Sequence, residues 1–290
     1  MSDLMQFVFS GLTIGAIYAL AALGFTLIYN ASGVINFAQG DFLMLGGMIA
    51  AALLGANMPY GVAIVLSVAC TVLVGVILYR WAIRPAGEAS AVSLIIVTIG
   101  ASIFIQGVVQ VVLGKNQHTL PAFSGDEALQ VLGAYVLPQS LWMCGVAALL
   151  VVACVVFFRR TLSGKAMLAV AANRLAARAV GIPTTRILQL SFGLSALLGA
   201  VAGVVAAPIT TTVYDIGLML GMKGFVAATL GGLGSPLGAV VGGLIVGLLE
   251  ALIAGYVSSA YKDAVPFVLI IVVLLAMPHG LFGARVTERV

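Results

Sequence analysis

The interval Arg159–Arg186, RRTLSGKAMLAVAANRLAARAVGIPTTR, decides how this chain is read. It carries Arg159, Arg160, Lys165, Arg174, Arg178 and Arg186 and no acidic residue. Apolar runs long enough to cross a bilayer stand on both sides of it. The positive-inside bias therefore assigns the loop 159–186 to the cytoplasm, and that assignment orients every other segment.

Outward from this loop the chain is 62% hydrophobic and only 8% charged over 290 residues. A water-soluble domain holds about a quarter charged residues, so the composition specifies an integral membrane protein. The runs are apolar on all sides rather than alternating, which excludes a β-barrel. Each span must be helical, because hydrocarbon offers the backbone no other hydrogen-bond partner. The 35 glycines scattered through the runs suit helices packed closely in lipid. Cys70, Cys144 and Cys154 lie in apolar runs without metal-like spacing, so they read as small core residues and no disulfide is expected. The net charge of +4 sits at span ends, as topology alone requires, and no nucleic-acid partner is expected. No basic segment precedes the first run, so it is expected to remain as a membrane helix.

Spans are expected at Leu4–Tyr29, from the polar cluster Asn36, Gln39, Asp41 to Gly55, and at Val62–Tyr79, Ala91–Leu113 and Leu141–Phe158. After the basic loop come Ile187–Ala207, stopped by Pro208, a short or re-entrant helix at Gly217–Leu230, then Leu237–Tyr256. A last span runs from Val265 to near Phe282. The interval 114–139 is the longest outer, periplasmic loop, with room for a small hairpin or short helix. The expectation is an all-α, polytopic transmembrane helix bundle of about eight spans in one domain, 1–290. Its N-terminus lies outside, and its C-terminus, with Arg285 and Arg289, is cytoplasmic. Gly-rich breaks around Gly40 and Gly231 point to a pair of discontinuous elements beside a transport path.

No catalytic or metal constellation emerges. His118 and His279 fall in loops on opposite faces. Gly114-Lys115 and Gly164-Lys165 lack the Ser or Thr and the earlier glycine of a phosphate-binding loop, so any ATP is bound by another subunit. Between Lys165 and Val180 the spacing predicts one helix with Leu168, Ala171, Ala172, Leu175 and Ala179 on one stripe and Arg174 and Arg178 opposite. Gly181 and Pro183 end it. Such a helix lies on anionic lipid or docks into a partner, and charge and periodicity fit both. Asp41, in the first turn of its helix, is read first as a capping group; Asn36 and Gln39 are candidates to line a passage. Glu250 lies deep in an apolar run and must be paired, protonated or wet, and Lys223 is its candidate partner. The pair fits equally a structural tie between helices and a place on the path. Trp81 and Trp142 sit at span ends as interfacial anchors.

Three blocks go further. GLTIGAIYALAALGFTLIYNASGVINFAQGDFLMLGG, SGKAMLAVAANRLAARAVGI and GMKGFVAATLGGLGSPLGAVVGGLIVGLLEAL resemble the signature blocks of the membrane permeases of branched-chain amino-acid ABC importers, and the likeness covers nearly the whole chain. Relatives that import urea or short amides share much of the pattern. The resemblance implies a single transmembrane permease domain in the bacterial inner membrane. It also implies a homologous second permease subunit, two cytoplasmic ATP-binding subunits that hold the ATP, and a periplasmic solute-binding protein. It makes the block from Gly164 to Ile182 the coupling segment, with Lys165, Ala171, Asn173, Arg174, Ala177, Arg178 and Gly181 on it. Lys165 departs from the family's usual arginine, and an acidic residue common near Ala172-Asn173 is missing. The competing readings are a self-sufficient carrier or channel using Glu250 as an ion-linked site, and a membrane-embedded scaffold subunit.

Overall fold

In the computed structural model, residues 2–87, 89–131, 133–277 and 279–283 are described. The chain forms helices α1 (Ser2–Ser32), α2 (Gln39–Gly55), α3 (Tyr60–Leu78), α4 (Ala91–Leu113), α5 (Pro138–Arg160), α6 (Leu162–Ala172), α7 (Arg174–Ala179), α8 (Thr184–Thr210), α9 (Ile216–Gly231), α10 (Pro236–Tyr256) and α11 (Val265–Ala276). A two-stranded hairpin, β1 (Leu129–Val131) with β2 (Ala134–Val136), sits in the loop before α5. Among the described residues six helices are long and apolar enough to cross a membrane, and α2, α9 and α11 are shorter apolar helices. This is a polytopic helical membrane protein.

The core is built where small residues let backbones approach. α1 and α10 run antiparallel with Gly15 against Leu244 and Gly243 against Ala19; α8 lays Gly199 and Gly203 on Phe42 and Leu43 of α2. These helices and α9 are the most buried elements, whereas α3, α4 and α5 show most of their apolar surface outward.

Contacts between loops define two faces. On one, Asn30 donates to the Gly234 carbonyl at 2.9 Å, the amide of Leu281 bonds the carbonyl of Leu230, and Ser32, Arg84 and Arg174 line one pocket. On the other, Gln6 bonds the backbone of Tyr135, Phe7 meets Tyr256 edge to face, Tyr60 donates to the Pro121 carbonyl, and His118 pairs with Thr212. The first face gathers Arg80, Arg84, Arg159, Arg160, Lys165, Arg174, Arg178 and Arg186; the second carries Lys115 and Lys262 with Asp3, Asp126, Glu127 and Asp263.

Several expectations need correction. Ser2, beside Gly133, and Gly283, beside Gly232, are the first and last described residues and lie at opposite faces, which requires an odd number of passages between them rather than eight. α1, α2, α3, α4, α5, α8, α9, α10 and α11 alternate in direction. Of these, α2, α9 and α11, with 17, 16 and 12 residues, span only about 18–26 Å, short of a hydrocarbon core of about 30 Å. Pro208 does not stop its helix: α8 continues to Thr210. The basic-loop helix is two helices broken at Asn173, whose extended backbone lets its side chain accept from the amides of Leu175 and Ala176. Arg285 and Arg289 lie outside the described residues.

After Leu78 the α3 helix widens into a π turn, Tyr79–Ile83, with the Arg84 amide reaching the Tyr79 carbonyl. Pro85 has no N–H and its ring crowds the carbonyl four residues back, which the wider turn accommodates.

Candidate functional site

The interior is where the polar residues meet. After α1 the chain turns back into the bundle as the non-helical, largely buried segment Val34–Ala38. Its backbone groups find internal partners, as they must at membrane depth. The Phe37 amide donates to Thr98 Oγ1 at 3.2 Å, the Ala38 amide to Asn36 Oδ1 at 3.2 Å, and the Val34 amide to Ser32 Oγ at 3.1 Å. Helix α2 thus starts inside the protein, beside Gly24, about 12 Å from the end of α1.

There Gln39 is fully buried and donates to the Ser195 carbonyl at 3.3 Å, while Ser195 Oγ bonds the Gln39 amide oxygen and the Gly24 carbonyl. Two residues on, Asp41 accepts from Gln106 Nε2 at 2.9 Å. Its side chain caps nothing: the N-cap position is Ala38, and the carboxylate turns across to α4. This corrects the capping reading, although the placement still suits the helix dipole. The start of α9 packs on the same point. A Cβ on Gly40 would collide with the Gly217 carbonyl, and one on Gly217 would touch Asp41 Oδ1. Two helix N-termini therefore converge on one buried carboxylate. The break at Gly40 packs on Gly217 at the start of α9, and Gly231, the other expected break, packs on Gly238 where α9 turns into α10. Three polar atoms here and nearby have no partner among the described residues: Asp41 Oδ2, Asn36 Nδ2 and Thr26 Oγ1.

A second cluster ties α1, α9, α10 and the loop before α11. Lys223 Nζ lies 2.8 Å from Glu250 Oε1 and 2.7 Å from Asp263 Oδ1, and Tyr18 donates to Glu250 Oε2 at 2.9 Å. The ammonium also stands 5.6 Å from the Tyr18 ring centre. Lys223 and Glu250 therefore meet, as expected, but no hydrogen bond among the described residues joins them to Asn36, Gln39 or Asp41. Sequence reasoning missed Gln106, Ser195, Tyr18 and Asp263. Gln106 had a signal: Thr98, Ser102 and Gln106 recur every fourth residue along α4 and make one polar stripe. Tyr18 and Ser195 had none.

The basic segment forms a short two-helix shelf. Gly164 packs against the backbone of Phe157 and Phe158, and Met167, Val170 and Ala177 are buried. Leu162, Leu168, Leu175 and Val180 are exposed, as are Lys165, Ala171, Asn173, Arg174 and Arg178. The stripe read from the sequence does not mark the packed face: Leu168, Ala171, Ala172, Leu175 and Ala179 are all exposed, and the buried Met167, Val170 and Ala177 lie off it. Gly181, at φ +84°, closes α7: its amide bonds the Arg178 carbonyl and the Ile182 amide bonds the Ala177 carbonyl. Among the described residues no group of three or more His, Cys, Asp or Glu side chains is placed to hold a metal ion.

Comparison with known proteins agrees with this architecture. Residues 7–274 match the family described as branched-chain amino acid transport system / permease component. The high-affinity branched-chain amino acid transport system permease protein LivH of Escherichia coli K12 is 36% identical over 99% of this chain and 97% of its own length. The corresponding protein BraD of Pseudomonas aeruginosa is 32% identical over 99% of this chain and 98% of its own.

Proposed function

The chain belongs to the family of branched-chain amino acid transport permease components, and on that premise we propose that it is a membrane-spanning subunit of an ATP-driven importer of branched-chain or related amino acids in the bacterial inner membrane. The observation that carries this reading is the match to permeases of that system along almost the entire chain. The basic face is cytoplasmic, since among the described residues its eight Lys and Arg side chains stand against two on the other face. A homologous second permease subunit completes the passage, two cytoplasmic ATP-binding subunits supply the energy, and a periplasmic binding protein delivers the solute.

Force enters through α6 and α7. The residues from Gly164 to Gly181, including Lys165, Ala171, Asn173, Arg174, Ala177 and Arg178, form the coupling shelf, whose exposed leucines offer an apolar contact for an ATPase groove. Asn36, Gln39 and Asp41 line the path at the point where α2 and α9 begin, because helix starts inside a membrane protein place free amides and dipoles toward a passing solute. Lys223 and Glu250 brace the bundle beside it. Glu250 already has two partners, which argues against a carrier that uses it as an ion-linked site.

The test is uptake of labelled leucine into vesicles reconstituted with this chain, alone and with its partner subunits and binding protein. Uptake only in the complete, ATP-loaded system is expected. Equal uptake by this chain alone overturns the reading.

A further inference from the structure

We propose that α3, α4 and α7 form a binding site for one anionic phospholipid, with its acyl chain between α3 and α4 and its phosphate among Arg84, Arg174 and Arg178. The site shares Arg174 and Arg178 with the proposed coupling shelf, but lipid binding itself needs no partner subunit.

Its apolar half is a slot of about 490 Å³. Helix α4 leans on α2 and on the π turn rather than along α3, so the two spans diverge and leave the slot open. Val74, Leu78 and Trp81 form one wall, Val97, Ala101 and Val109 the other, and Leu45 of α2 lies among the lining residues. From Val97 to Val109 the wall is about 18 Å long, against about 15 Å for the hydrocarbon of one leaflet. The slot therefore has the length of an acyl chain.

Its polar half is a pocket of about 350 Å³ on the basic face, lined by Arg84, Arg174 and Arg178 together with Tyr79. The walls adjoin on both helices. Leu78 and Ala82 line the slot where Tyr79 and Ile83 line the pocket, and Leu94 of the pocket precedes Val97 of the slot by one turn. Of these arginines only Arg178 has a side-chain partner among the described residues, Thr184 Oγ1 at 3.0 Å. No described carboxylate lines the pocket. Three guanidinium groups around one space repel each other unless an anion sits between them, and a phosphate accepts from arginine in pairs. The slot and the pocket share no lining residue, but their walls are neighbours on the same two helices, and an acyl slot beside a triple-arginine pocket matches the outline of an anionic lipid.

The chain has two tryptophans, and Trp81, 72% exposed, lines the slot. Trp142→Phe makes it the sole tryptophan. The full chain carrying that change is placed in phosphatidylcholine vesicles, and brominated phosphatidylglycerol or brominated phosphatidylcholine is titrated in while Trp81 fluorescence is followed. Phosphatidylglycerol is expected to quench at a much lower fraction. Arg84→Gln, and separately Arg178→Gln, are each expected to reduce that preference about fivefold. Arg159→Gln with Arg160→Gln, on the same face but away from the pocket, leaves it intact. Equal quenching by the two lipids overturns the proposal, as does a preference lost equally in the control variant. A tryptophan that neither lipid quenches also overturns it, because the slot is then filled by protein. Competition by inorganic phosphate that abolishes the preference assigns the pocket to a free anion and refutes the lipid.

Discussion

Lys223→Met is the perturbation that tests the buried charge cluster. Lys223 and Glu250 are 3% and 4% exposed, and Asp263, the third member, has 43% of its side chain exposed. Removing the ammonium leaves Asp263 able to reach water but strands the Glu250 carboxylate with the Tyr18 hydroxyl as its only hydrogen-bond partner among the described residues. Breaking a buried pair in this way costs about 3–5 kcal/mol, a large share of a total stability of about 5–15 kcal/mol. Glu250→Gln is milder: its amide oxygen still accepts from Lys223, which keeps Asp263, and the expected loss is about 1–3 kcal/mol. In the double variant neither charge is left, so the combined cost should fall below the sum of the two by about 2–3 kcal/mol. The assay is unfolding of the purified chain in mixed micelles with a denaturing detergent, followed by helical signal for the wild type, both single variants and the double. Additivity within about 0.5 kcal/mol means that the two groups do not act on each other, and the account of the cluster is then wrong.

Three further outcomes are expected. Gly40→Ala places a methyl on the Gly217 carbonyl and should destabilise the chain by about 1–3 kcal/mol or more, whereas Gly55→Ala, with nothing within 4 Å, should be tolerated in the same unfolding assay. Asn173→Ala removes the cap of α7 and should cost about 1 kcal/mol, seen as faster hydrogen exchange at Leu175 and Ala176 with the spans unchanged. Leu168→Glu, on the exposed shelf, should leave the protein inserted but abolish stimulation of ATP hydrolysis by loaded binding protein in the reconstituted complex; stimulation at the wild-type level removes α6 from the coupling contact.

The spans were legible because hydrophobic length is a one-dimensional signal. Ala91–Leu113 is the same in sequence and structure, and the small hairpin before α5 lies where turn residues left room for it. What could not be read from length was where a helix begins in depth. Val34–Ala38 reads in sequence as the entrance of the second span, yet it is a non-helical segment inside the bundle, where Thr98, on another helix, takes up the Phe37 amide. The break at Asn173 was readable in principle, since asparagine is among the strongest caps, but the alanines around it keep helical periodicity going. At the site, Asn36, Gln39 and Asp41 stood out as polar residues in an apolar run, and Lys223 and Glu250 stood out as charges. Of their partners, Gln106 was marked only by the polar stripe of α4, and Ser195 and Tyr18 by nothing, because they are separated from them by long stretches of chain and are ordinary residues until the fold brings them close.

The interior polar contacts also show how unevenly the bundle is held. α1, α2, α8 and α10 are fastened by close glycine packing, which in lipid gives the strongest contact per residue because backbones meet directly. α4 has almost none of this: the residues it buries are Leu94, Thr98, Ser102 and Val109, and two of the four are hydroxyl side chains. Its ties are the Thr98 bond to the Phe37 amide and the Gln106 bond to Asp41. Hydrogen bonds between membrane helices contribute about 0.6 kcal/mol each on average, so α4 is the most loosely held long span. Both of its ties end on the re-entering segment and on the first turn of α2, where the path is proposed. A displacement of the shelf that shifts the π turn at the base of α4 would therefore act first on the contacts of Asp41 and Phe37, while the glycine-packed helices stay fixed.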